Sequence, residues 1–156
     1  MVRAAIPFLA SLLLCGPASA DAPLAVLQQA GQLGRWAKSC ELPANRENIH
    51  TVYYEADDGQ VRSRLERGPD LQPLESVIEK ARLLAPGRIA LTIRNDDTNW
   101  QNSNGGALDE VVEIANDRLR ITSAVSHGGM TVIEGGRFTN GTPAPTLVRC
   151  TEKPGN

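Results

Sequence analysis

The chain has 156 residues, of which 41% are hydrophobic but only 4% aromatic, and 18 acidic side chains stand against 16 basic ones for a net charge of −2. A balance so weak and well mixed, with no basic run, argues against nucleic acid or an anionic membrane as partner. The length suits one domain with its own core.

Met1 to Ala20 has the build of a cleavable signal peptide. Arg3 is its one charge, an apolar run from Ala4 to Cys15 is broken only by Pro7 and Ser11, and Gly16-Pro17 precede the small exit residues Ala18-Ser19-Ala20. Lipoprotein cleavage before Cys15 is the alternative, and the bulk of Leu14 disfavours it. The expected location is therefore periplasmic or secreted, where thiols oxidise. No later apolar run approaches the ~20 residues of a membrane-spanning helix, so no transmembrane segment is expected.

Within Ala22 to Gly34, Leu24, Leu27 and Gly31 fall at helical spacing and predict a short helix over one end of a sheet. Beyond Cys40 the pattern changes to short apolar alternations separated by turn residues. Ile49 to Glu55 and Val61 to Leu65 flank Asp57-Asp58-Gly59 and predict a hairpin with Val61 and Leu65 on one face and arginines on the other. Leu74, Val77, Ile78, Ala81 and Ala85 follow the period of an amphipathic helix ended by Pro86-Gly87. The same residues also fit a strand pairing with Arg88 to Arg94 across that turn, and the surrounding β pattern tips the balance slightly to the strand.

Ile89, Leu91 and Ile93 alternate toward a core. Val111 to Ile114 and Arg118 to Thr122 flank Asn116-Asp117, two residues that tolerate a left-handed backbone, and predict a second hairpin. Ser126-His127-Gly128-Gly129 reads as a turn, followed by strands at Met130 to Ile133, Arg137 to Thr139 and Thr146 to Cys150. The predicted fold is mainly β: a small antiparallel up-and-down barrel or sandwich closed by one disulfide, with one or two short helices. The leader, residues 1–20, is followed by a single β-rich domain over 21–156.

Cys40 and Cys150 remain after processing, and an isolated pair in an oxidising compartment is expected to bond. Zinc needs more ligands than two cysteines supply, and His50 and His127 lie far off in sequence, so no metal is expected. No cofactor motif is present.

Gly34-Arg35-Trp36, a G-x-W step at the first strand, followed by Cys40, resembles the opening of a lipocalin-like, or calycin, barrel. The resemblance implies that Trp36 closes the barrel floor and that an arginine of the last strand, Arg149, packs over its ring. It also implies a disulfide tying an early region to a late one. With so few aromatic residues, the expected interior is a compact packing of Val, Ile and Leu, with function carried on loops.

No nucleophile motif accompanies Ser126-His127, which reads as part of a turn, so no catalytic residue is assigned. His50, on a strand, is expected to be exposed or hydrogen-bonded. Asp57-Asp58, Asp96-Asp97 and Asp109-Glu110 read as solvated acceptors in turns and at strand ends. The segment from Asn95 to Gly106 stands apart, because a tryptophan sits there among polar residues. Trp100, with Asp97, Asn99 and Asn102, forms a candidate recognition loop for a protein or glycan of the cell envelope. The competing reading is a hairpin loop whose tryptophan folds over the barrel mouth, and the order of a calcium loop is absent. These features predict an exported, noncatalytic binding or accessory protein. The alternative is a carrier of a small apolar ligand, with an uncharacterised hydrolase behind both.

Overall fold

In a computed structural model, residues 22–96 and 106–151 are described. Their order is α1 (Pro23–Ala30), β1 (Gly34–Ala37), β2 (His50–Glu55), β3 (Val61–Glu66), β4 (Leu74–Ala85), β5 (Arg88–Asn95), β6 (Ala107–Ala115), β7 (Arg118–Ser126), β8 (Thr131–Glu134), β9 (Arg137–Phe138) and β10 (Thr146–Cys150). Each strand from β1 to β8 pairs with its successor, all antiparallel, and β10 pairs with both β1 and β7. This closes an eight-stranded antiparallel barrel, β1 to β7 plus β10, so the barrel and not the sandwich is the fold. The beginning of β7 (Arg118 to Arg120) pairs with β10, whereas its later part (Ala124, Val125) pairs with β8. β8 and β9 are thus a flap beyond the ring.

The turns explain the pairing. Asn116 and Asp117 take φ values of 51° and 54° between β6 and β7, the left-handed pair that matches the twist of a two-residue hairpin. Leu74 to Ala85 is the strand β4, in register with β5 from Ser76↔Asn95 to Ala85↔Arg88. Two bulges, at Ile78/Lys80 and Leu83/Ala85, break its period of two and explain the helix-like spacing of its apolar residues. α1 ends at Gly31, whose φ of 67° forms a left-handed cap, and Val26 and Leu27 on its inner face are buried.

The core unites α1 with the barrel wall: Val26, Leu27, Trp36, Tyr53, Val61, Ile78, Ala81, Ile89, Leu91, Val112 and Leu119 form one buried cluster. A second, smaller cluster (Leu108, Ala124, Ile133, Ala144) lies beneath the flap. Cys40 and Cys150 are bonded, their Cα atoms 5.4 Å apart. No helix among the described residues is long and apolar enough to cross a membrane.

Candidate functional site

The two ends of the barrel differ. One, the floor, receives the start of β1, the end of β10 and the β6–β7 turn, and it is closed by α1 and an arginine clamp. The guanidinium carbon of Arg149 lies 4.3 Å from the centroid of the Trp36 ring. Arg149 Nη1 donates to Leu33 O at 3.0 Å, Nη2 donates to Gly31 O, and Nε donates to Asp117 Oδ1 at 3.0 Å. Trp36 is fully buried, and its Nε1 donates to Gln32 O at 2.7 Å. One side chain therefore joins the helix cap, the first strand, the last strand and a hairpin turn, with both polar and π contacts satisfied. The places expected of Trp36 and Arg149 are those observed.

The other end, the rim, carries the connections 38–49 and 67–73, and it is where β5 ends and β6 begins, on either side of the β5–β6 segment. The candidate recognition residues Asp97, Asn99, Trp100 and Asn102 belong to that last segment and lie outside the described residues. His50, at the rim start of β2, is buried and engaged on both ring nitrogens: Nδ1 meets Arg35 Nη1 at 3.2 Å, and Nε2 lies 3.1 Å from both Asn48 Nδ2 and Leu42 O. Arg35 in turn pairs with Glu66 at 2.6 Å. His50 thus anchors the 38–49 connection, the hydrogen-bonded outcome expected of it.

Ser126-His127 makes no dyad. Ser126 Oγ accepts from the Met130 backbone N–H at 3.0 Å, and His127 Nε2 turns instead to Asp109 Oδ2 at 3.2 Å. Burial works against the ionised Asp109, but hydrogen bonds from Thr92 Oγ1 and His127 hold its carboxyl below the usual range. A hollow of about 860 Å³ lies against this face, lined by residues of β4 to β7 and by Ala22 and Pro23. β7 contributes only Ser123 and Val125, which alternate with the inward Ala124, so the hollow follows the outer wall and is not an internal calyx.

The interior corrects two expectations. Asp109-Glu110 are not both solvated: β6 begins at Ala107, earlier than the apolar run Val111 to Ile114 suggests, and alternation then carries Leu108, Glu110 and Val112 inward. Glu110 lies level with Leu91 and Ala124, and burial raises its carboxyl to a pKa of about 7. Nor is the bore lined by aliphatic side chains alone. Tyr53, Ser63, Ser76 and Asn95 are buried along one cross-strand row, and Gln32 is fully enclosed after α1. The Tyr53 hydroxyl is pushed up by burial first and by the charge of nearby Glu110 second, while the Gln32 side chain lies beside it and acts in the opposite sense. Alternation shows which residues face inward in the sequence once strand limits are known. Gln32 carries no such signal.

No family model, curated protein or solved structure matches this chain. What the structure defines is a shape: a closed, eight-stranded antiparallel barrel, consistent with a lipocalin-like one.

Proposed function

We propose that this is an exported, noncatalytic binding protein of the cell envelope that engages a protein or glycan at the rim of its barrel. The observation that carries the reading is the asymmetry of the two ends. The floor is sealed by α1 and the Arg149 clamp, while the rim carries the connections 38–49 and 67–73 together with the end of β5 and the start of β6, between which Trp100 lies in the sequence. A scaffold closed at one end and loop-rich at the other is how barrels commonly present a binding surface. Ser126 and His127, engaged with other partners, support the noncatalytic part. The G-x-W step, the clamp and the early-to-late disulfide support kinship with calycins as part of the same reading.

The alternative of an apolar carrier has less support, because inward-facing Tyr53, Ser63, Ser76, Glu110 and Gln32 would be stripped of water against an aliphatic ligand. The test is Trp100→Ala in the processed protein. Crosslinking from the rim identifies the partner, and the variant is expected to bind it more weakly by about 2 kcal/mol or more while its stability changes by no more than about 0.5 kcal/mol. A variant that loses stability like a core truncation, about 2 to 5 kcal/mol, would make Trp100 a packing residue and end its role as an anchor.

A further inference from the structure

The hollow of about 860 Å³ on the outer wall is crossed by two rows of side chains. Arg82 of β4 is in register with Ala90 of β5, Ala90 with Val111 of β6, and Val111 with Ser123 of β7. The neighbouring row runs from Lys80 through Thr92 and Asp109 to Val125. Cross-strand partners share a face, so each row starts at a cation on β4 and ends at a small or apolar side chain on β7, about 14 Å away at ~4.8 Å per strand.

The charge along these rows is not balanced within the chain. Glu79 is held by Arg94 at 2.6 Å, Glu113 by Arg88 at 3.6 Å, and the two oxygens of Asp109 by Thr92 and His127. Lys80 and Arg82 have no hydrogen-bond or ion-pair partner among the described residues, and Lys80 acts on Asp109 only through its charge. Arg46 and Arg118 are also unengaged, but neither lines the hollow. The β4 end of the strip is therefore positive, although the chain as a whole carries a net charge of −2. The rest of the strip, over Ala90, Val111 and Val125, is apolar.

We propose that this strip is a docking surface for an extended segment of a partner protein, in which adjacent acidic side chains meet Lys80 and Arg82 and apolar ones lie over Ala90, Val111 and Val125. The two cations stand about 7 Å apart along β4, a spacing that brackets one acidic end of such a segment. A small molecule fits less well, because sites for small molecules enclose roughly 70–90% of the ligand, and a hollow on an outer wall leaves one side in water. An extended segment keeps that side of its main chain hydrated. The inference adds a wall site to the proposed binding protein and does not depend on the rim.

The test titrates the isotope-labelled chain 21–156 with the end-capped peptide Leu-Ala-Val-Glu-Glu and with two controls ending in Gln-Gln and Lys-Lys. The acidic peptide is expected to shift the backbone amides of Ala90, Thr92, Val111 and Ser123, to bind roughly tenfold or more tightly than either control, and to weaken as salt is raised. The double variant Lys80→Gln/Arg82→Gln should erase that preference without lowering the melting temperature, since neither side chain holds the fold. Val111→Glu sets a repelling charge in the middle of the strip and should abolish binding. Variants on different strands keep the result decisive if one fails to fold. Equal shifts from all three peptides, no shift on the strip, or a double variant that binds as before would overturn the proposal. So would decanoate moving these resonances where the acidic peptide does not, which would make the strip a site for an amphiphile. Self-association in sedimentation that the double variant abolishes would make a second copy the occupant and overturn it too. None of these outcomes touches the rim reading, which the Trp100→Ala measurement decides.

Discussion

Glu110 concentrates the physical tension of this barrel in one side chain. It is enclosed with Leu91 and Ala124 as strand neighbours, and burial alone raises its pKa from 4.5 to about 7. The folded state therefore keeps the proton through a pH range in which the unfolded chain has released it. Stability contributed by the neutral carboxyl is complete below about pH 4.5, declines as pH rises, and is lost by about pH 7, a total of about 3 kcal/mol. Glu110→Gln, neutral at every pH, should flatten that decline. Urea unfolding at intervals from pH 4 to 8 measures it, and a wild-type curve with no slope between pH 5 and 7 would mean that Glu110 is solvated. Arg149 is the contrasting case, a charge whose partners are all in place, including Asp117, the Leu33 carbonyl and the Trp36 ring. The difference was half legible in the sequence. The G-x-W step and an arginine beside the last cysteine marked the clamp, whereas Glu110, next to an exposed aspartate, looked like one of a solvated pair.

At the scale of elements, alternation and turn residues revealed most of the strands, and the failures have local causes. Leu74 to Ala85 carried both periods because its two bulges shift the alternation, and only pairing with β5 decides between them. The β4–β5 turn offers a test of that pairing. Gly87 has φ of 70°, and a Cβ there would run into the carbonyl oxygen of Ile114, which accepts no such approach, while the Gly87 carbonyl takes the Ile114 N–H at 2.7 Å. Gly59, in the β2–β3 turn, has φ of 78° with open space around it. Gly59→Ala should cost only the backbone strain, about 1 kcal/mol, and Gly87→Ala should cost clearly more, about 2 to 4 kcal/mol, because β5 and β6 must part. Thermal unfolding of the two variants side by side decides it, and equal losses would show that the turn can move away from β6. Gln32 illustrates what no pattern announces: it follows a helix cap, belongs to no strand, and its enclosure depends on how α1 docks.

The whole molecule depends on a seam between the two ends of the chain. β10 meets β1 through Arg35↔Cys150, Trp36↔Arg149 and Ala37↔Val148, and without that pairing the ring opens into a curved sheet with two free edges. Contacts so distant in sequence are costly to close by diffusion of a free chain, which is where the Cys40–Cys150 bond, spanning 110 residues, acts. On chain-entropy grounds it contributes about 4 to 5 kcal/mol by restricting the unfolded state, with native disulfides of small exported domains generally giving about 2 to 5. The Cys40→Ser/Cys150→Ser double variant should therefore lose stability by an amount in that range. Its Trp36 fluorescence in native buffer should stay that of a buried indole, because the Arg149 hydrogen bonds and the strand register hold the floor once folded. Denaturant unfolding with Trp36 emission as the probe reads both quantities at once if Trp100→Ala is placed in both backgrounds. A small loss, under about 1 kcal/mol, would assign the seam to its strand pairing and clamp; a shift of the native emission toward that of exposed tryptophan would instead show that the bond holds the folded floor shut.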